Sequence, residues 1–391
     1  MTPAARSYLD WNATAPVRAE AADAMLRALL LDGNPSSVHA EGRAARAAIE
    51  QARAQVADLV GADARRVVFT SGGSEANVFA LTPSLGLDDK RPTLRLLMSA
   101  TEHPCVREGH RFPAADAATI PVGADGVIVL DALKAALEAP CEGRTMVSVH
   151  FANNETGVVQ PIAEIGLICR QADALLHVDA VQAAGKLPID MTTLGVDALT
   201  ISAHKLGGPK GVGAVILGSG RIEVRDRLIR GGGQEKAARA GTENVPGIVG
   251  FGVAAALAKQ ELASEAIRQA ALRGRLEAGL LALARDTIIF GAAAQRLPNT
   301  SCFATPGVRA ETALISLDLS GVSASSGSAC SSGKVRASHV LSAMGVPAAL
   351  AGGALRVSVG RTTTEGHIEH FIAAYAKALA ALSGRRAQAA A

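Results

Sequence analysis

Leu175-Leu-His-Val-Asp179-Ala-Val-Gln182 and, further on, Ala198-Leu-Thr-Ile-Ser202-Ala-His204-Lys205-Leu-Gly-Gly-Pro-Lys210-Gly are aliphatic runs that each end on polar side chains. Both read as buried strands whose carboxyl ends carry chemistry. Working outward, Arg66 to Thr70, Leu94 to Met98, Met146 to His150 and Ala214 to Leu217 read as further strands, with helical patterns filling most of the gaps. This alternation predicts an α/β fold with a mainly parallel sheet covered by helices on both faces, and a ligand site at the strand ends. Val17 to Leu31 and Glu41 to Val60 read as earlier helices, the second closed by Gly61 in the position that favours a left-handed C-cap. After about Pro246 comes a long Ala-rich helical stretch to Ala284, followed by short strands near Ile288, Ser301, Val322 and Leu355 to Val359. That part reads as a smaller α+β domain.

The 391 residues, 49% of them apolar, are enough for a sizeable core. Thirty-nine basic against 36 acidic side chains leave a net charge of +3 without any block of like charge, so no nucleic-acid partner is expected. Met-Thr-Pro-Ala-Ala-Arg-Ser at the start lacks the apolar stretch of a signal peptide, and nothing approaches a membrane span. A cytoplasmic protein is expected. Five cysteines (Cys105, Cys141, Cys169, Cys302 and Cys330) include no C-x-x-C pair, which argues against a disulfide framework and a structural metal site.

Three segments then carry the chemistry. Thr70-Ser-Gly-Gly73-Ser74-Glu-Ala-Asn77 follows a strand and opens a helix; it is either a cradle for an anion such as phosphate or a plain strand-helix turn. Asp179 either caps the next helix or holds a protonated ring nitrogen, and Gln182 lies within reach of the same ring. Lys205 sits among Ser202, His204 and a Gly-Gly-Pro loop, a setting in which desolvation or a neighbouring cation lowers a lysine's pKa toward Schiff-base chemistry. Most lysines are surface residues. Here an anion cradle, a ring-nitrogen partner and a lysine follow one another at successive strand ends.

These segments resemble the cysteine desulfurases of the NifS/IscS type, within the class-V aminotransferase-like branch of the fold-type I pyridoxal-phosphate (PLP) enzymes. The resemblance extends through Tyr8 to Pro16, Gly33-Asn34-Pro-Ser-Ser-Val-His39, Thr101-Glu-His103 and Asn153-Asn154-Glu-Thr-Gly157. It continues through Arg239-Ala-Gly-Thr242-Glu-Asn244, Ser325-Ser-Gly-Ser-Ala-Cys330-Ser-Ser-Gly and Leu355-Arg356-Val-Ser-Val-Gly-Arg361. It implies that Lys205 holds PLP as a Schiff base, that Asp179 faces the pyridinium nitrogen, and that Gln182 meets the phenolate oxygen. His103 is expected over the ring face, moving protons. Gly73, Ser74, Ser202 and His204 match phosphate-binding positions, whereas Thr242 matches one that reaches the partner subunit's phosphate, implying a homodimer with shared active sites. Asn34, Asn154 and Arg356 match the positions that hold the substrate carboxylate.

Cys330 decides the reaction. Its small, polar neighbours resist regular structure, which suggests a mobile loop, while the other four cysteines are expected to act as small buried hydrophobes. The resemblance implies conversion of L-cysteine to L-alanine with sulfur passed to Cys330 as a persulfide, then to an acceptor or iron-sulfur scaffold protein. No resident metal is expected, Cys330 being at most a transient cluster ligand. A PLP-binding domain over residues 15–255 and a small domain from 1–14 plus 256–391 are the expected division. Trp11 and Ala15 stand where Asn and Thr are common, Gly73-Ser74 replaces Ala-Thr, and Gly333-Lys-Val-Arg-Ala replaces an acidic-Pro segment. Another class-V activity, such as transamination or selenocysteine cleavage, a non-catalytic scaffold, and a generic phosphate-binding protein are the competing readings. Cys330 weighs against a transaminase.

Overall fold

The computed structural model describes residues 6–89, 91–218, 221–326 and 338–389. A central sheet is built from β1 (Val67–Thr70), β2 (Thr93–Ser99), β3 (Ala117–Ile120), β4 (Arg144–His150), β5 (Leu175–Asp179), β6 (Ala198–Ser202) and β7 (Gly213–Leu217). Their order across the sheet is β1-β7-β6-β5-β4-β2-β3. β7 runs antiparallel to both its neighbours, and every other pairing is parallel.

Side chains alternate between two faces, as the pleat requires. Val67, Phe69, Val147, Val149, Leu176, Val178, Leu199 and Ile201 point into one apolar layer, and Val68, Met146, Leu175, Ala198 and Val215 into the other. The first layer is closed by α1 (Ala19–Leu29), through Ala21, and by α2 (Ala40–Leu59), whose Ile49, Ala52 and Val56 recur at helical spacing. Gly61 follows at φ +64, and the Ala62 amide donates to the Ala57 carbonyl at 3.0 Å, the left-handed ending anticipated from the sequence. The second layer receives α3 (Gly73–Ala80), through Ala76, Phe79 and Ala80.

A smaller antiparallel sheet contains β8 (Ile288–Ile289), β9 (Thr300–Ala304), β10 (Ser325–Ser326) and β11 (Leu355–Ser358), in the order β8-β9-β11-β10. Val322 does not join it; Val322–Ser323 pairs in parallel with Ser7–Tyr8. Around this sheet Leu272, Leu280, Phe303, Leu355, Phe371 and Tyr375 form a separate apolar cluster. The Phe303 ring meets Phe371 and Tyr375 edge-on.

The two cores are joined by α4 (Val245–Leu283), 39 residues and about 58 Å long at 1.5 Å per residue. Asn244 caps it, Oδ1 accepting the Gly247 amide at 3.1 Å. Ile248, Phe251 and Ala255 bury its first part in the large core, whereas Leu272, Leu276 and Leu280 bury its second part in the small one. Among the described residues no helix is long and apolar enough to cross a membrane.

Candidate active site

A cavity of about 580 Å³ opens at the carboxyl ends of β5 and β6 and reaches across to β11. Its walls contain Gly73, Ser74, His103, Asn154, Asp179, Gln182, Ser202, His204, Lys205 and Arg356. Ten candidates scattered over nearly three hundred residues thus meet in one space.

At one end α3 begins. A Cβ built on Gly73 would lie 3.0 Å from Val181 Cγ2 and 3.3 Å from Ser202 Cβ, so the small residue keeps the helix N-terminus open to an anion. Gly213 on β7 has the same function one layer below, because a Cβ there would come within 2.5 Å of the Gly72 backbone. His204 Nδ1 lies 3.2 Å from Thr14 Oγ1. Burial, followed by the charges of Lys205 and Lys210, pushes its pKa down to about 4.

Asp179 closes β5 and is buried. Its Oδ1 accepts the Val181 amide at 2.9 Å and its Oδ2 accepts Asn77 Nδ2 at 2.8 Å. Asn77 is held in turn by Thr200 Oγ1, which donates to its Oδ1 at 2.7 Å. No helix directly follows Asp179, so it caps none; its bond to the Val181 amide closes a turn instead. Asn77 and Thr200 were not singled out by sequence reading; the signal was Asn77 at the end of the Thr70–Asn77 motif and Thr200 opposite Asp179 on the neighbouring strand.

Lys205 Nζ donates to the Asn12 and Ala13 carbonyls at 2.6 and 2.8 Å. Burial, and after it the Arg356 charge, pushes its pKa down to about 8, so a fraction of the amine is neutral near pH 7. The segment that receives it is fixed from the opposite side. The Asn12 amide donates to Ser358 Oγ (2.9 Å), its Nδ2 to Thr300 Oγ1 (2.8 Å), and its Oδ1 accepts Asn299 Nδ2 (3.0 Å). Trp11 is packed face to backbone on Gly360, where a Cβ would fall 2.0 Å from the indole.

Arg356 occupies the far wall. β11 turns its side chain inward while Leu355 and Val357 enter the core, and the guanidinium is 4% exposed with its residue. It donates to the Asn154 carbonyl at 3.0 Å and to Asp10 Oδ1 at 2.7 Å, and its Nε has no partner. Asp10 was not anticipated; it occupies one arm of the fork expected to hold a carboxylate.

Other expected residues lie elsewhere. Asn34 is exposed and outside the cavity, because its Oδ1 accepts the Ser36 amide at 2.9 Å and closes a local turn. Cys105 is not a core residue: it lines the cavity, its Sγ 3.0 Å from His103 Nδ1 and 3.2 Å from Asn77 Nδ2. Burial and the Asp179 charge push this thiol up to about 12, so it stays protonated. Cys141 is half-buried, whereas Cys169 and Cys302 lie fully inside. Thr242 is exposed beside a separate cavity with Arg239 and Glu243. Cys330 lies outside the described residues. The described chain stops at Ser326, after Ser325 has paired with Arg356, and resumes at Ser338, whose Oγ donates to Glu155 Oε2 at 2.5 Å.

His103 caps the short helix Pro104–Arg107, its Nδ1 accepting the Cys105 amide at 3.2 Å. Burial lowers its pKa, which leaves a neutral imidazole facing the cavity.

The Aminotransferase class-V family pattern matches residues 7–371. Cysteine desulfurase 2 of Trichormus variabilis is 43% identical over 371 residues, covering 93% of this chain and 90% of that protein. Cysteine desulfurase IscS of Dictyoglomus turgidum is 41% identical over 363 residues, covering 92% and 90%. Among solved structures, the NifS-like protein from Rickettsia africae superposes with a TM-score of 0.87 at 35% identity, covering 96% of this chain and 99% of that one. SspA in complex with cysteine does so with 0.77 at 31%, covering 92% and 100%. The chain belongs to the class-V aminotransferase family, which implies pyridoxal phosphate, and within it to the NifS/IscS-like cysteine desulfurases.

Proposed function

We propose that this desulfurase uses PLP held by Lys205, Asp179, Gln182 and the α3 N-terminus, and passes the sulfur of L-cysteine through Cys330 to an acceptor protein that feeds iron-sulfur cluster assembly. The observation that carries the reading is the single cavity in which Lys205, Asp179 and Arg356 meet. The donor set fits the cofactor. Gly73 leaves room for a phosphate at a helix end, and a doubly hydrogen-bonded carboxylate and a lysine of lowered pKa line the same cavity.

When bound, PLP supplies an electron sink that loosens the bonds at the substrate Cα. The chain's own groups do the rest. Arg356 takes the substrate carboxylate in exchange for Asp10, with Asn154 beside it, and so fixes the Cα near Lys205. Lys205 Nζ accepts the Cα proton in its neutral form. His103, neutral and partly sheltered, holds the next proton in transit. The Cys330 thiolate attacks the substrate sulfur; an S–S bond forms, the C–S bond breaks, and its electron pair ends as a protonated carbon in alanine. Cys105, kept protonated, does not compete for that sulfur.

Exposed Leu26, Leu30 and Val38 favour a homodimer, in which Thr242 would serve the partner's phosphate. The separate apolar clusters joined by α4 favour a PLP-binding domain over residues 15–255 and a small domain from 1–14 plus 256–391. Mass spectrometry after L-cysteine is expected to find one extra sulfur on Cys330 and equimolar alanine. Sulfide release by Cys330→Ala at the parent rate overturns the persulfide route. A pull-down with the persulfidated enzyme is expected to recover an iron-sulfur scaffold; recovery of a thiolation acceptor instead overturns the assembly role.

A further inference from the structure

Lys186 lies in the turn segment that follows the Leu175–Asp179 strand, four residues after Gln182, and has no place in the chemistry above. Its Nζ donates to Gln182 O at 3.0 Å and to Gln182 Oε1 at 3.1 Å. No carboxylate among the described residues forms an ion pair with it. Glu261 and Glu265 line the small cavity behind Lys186 and Lys205, but Glu261 is paired with Arg18 at 2.7 Å and Glu265 with Arg268 at 2.8 Å. Burial, and after it the charges of Lys205 and Arg356, both cationic, push its pKa down to about 7. An ammonium without a counter-ion beside two other cations is costly, so its hydrogen bonds have work to do.

An amide has two unlike ends, and a glutamine can present either to a cavity. A protonated lysine can only donate. By donating to Oε1 it takes the carbonyl end and turns the NH₂ end the other way, where Gln182 Nε2 donates to the Asn12 carbonyl at 3.0 Å. The second N–H of that NH₂ is left for an acceptor in the cavity. The geometry points to Lys186 as a positioning residue that locks the Gln182 amide with its donor end toward the phenolate oxygen of the cofactor. This inference rests on the reading that Gln182 meets that oxygen.

The test is the pH dependence of the long-wavelength absorption band of the PLP-loaded enzyme without substrate. A donor to the phenolate favours the charged form, so releasing the lock in Lys186→Met is expected to raise the midpoint by ~1 pH unit, while Lys186→Arg stays near the parent. Gln182→Leu is expected to raise it too, and Lys186→Met placed on that background to add less than half of its own shift. An unmoved midpoint in Lys186→Met beside a raised one in Gln182→Leu overturns the lock. A full Lys186→Met shift in the Gln182→Leu background does so as well, because the charge would then act without the amide. If Gln182→Leu itself leaves the midpoint in place, the contact between Gln182 and the cofactor fails instead.

Discussion

The two ends of the cavity are built on different terms. At the ends of the central sheet Asp179 is committed within the protein to Asn77 and Val181, and Asn77 to Thr200. At the far wall Arg356 has one arm on a backbone carbonyl, one on the Asp10 carboxylate, and an Nε with no partner. A carboxylate so committed makes a rigid seat for a resident molecule, because its orientation is already fixed before the molecule binds. A carboxylate that can be exchanged suits a ligand that arrives and leaves once per turnover.

The largest effect expected is at the committed end. Lys205→Ala should abolish a borohydride-reducible PLP adduct and lower turnover by more than ~1,000-fold; an adduct at another lysine would break the contrast. Arg356→Gln should raise KM for cysteine by ~100-fold, the loss of charge-assisted bonds worth about 3 kcal/mol, while the PLP spectrum is retained. If the spectrum is lost as well, the two ends are not separable. Asp10→Asn should sharpen the contrast by removing the competing carboxylate, tightening alanine binding in equilibrium dialysis by ~5-fold. Asp10 also raises the Lys205 pKa of about 8. Capture of PLP by the neutral amine therefore rises with pH through about 8 in the parent, and the midpoint should move down in Asp10→Asn.

The smallest effect concerns Glu155, which accepts the Ser338 hydroxyl. Burial raises its pKa to about 7 from 4.5, so the folded protein binds a proton that the unfolded chain releases. Its contribution to stability is fully present below pH 4.5 and lost as pH rises through about 7. Glu155→Gln should flatten that slope and leave the protein more stable at pH 8, by about 2 kcal/mol. Thermal melts of both proteins between pH 5 and 8 read this directly.

Most of the central sheet was legible because its strands are buried on both faces and read as aliphatic runs. Ala117–Ile120 escaped because it is an edge strand with exposed Ala118 and Thr119 and no such run. The antiparallel course of β7 was also not read, although the short link from Ser202 to Gly213, with its glycines and proline, leaves little room for a crossover helix. In the site, Lys205 and Asp179 were legible from their places at strand ends. The Asp10–Arg356 pair was not, since 346 residues separate the two in sequence and nothing local marks either one. Cys105 was misjudged because a thiol's neighbours along the chain do not reveal which wall it faces. Asn34 rested on resemblance alone, and its local turn claims the side chain first.

The residues around Asn12 also fix an order of events. Ser7 pairs with Val322 and Asp10 bridges to Ser358, yet the same short segment supplies the carbonyls that hold Lys205. During synthesis this stretch leaves the ribosome long before Val322 and Ser358 and must wait for them. It pairs with none of the seven strands of the large sheet. PLP capture by a nascent chain should therefore lag behind closure of the large sheet, making Schiff-base formation a reporter that Leu355–Ser358 has joined the small sheet.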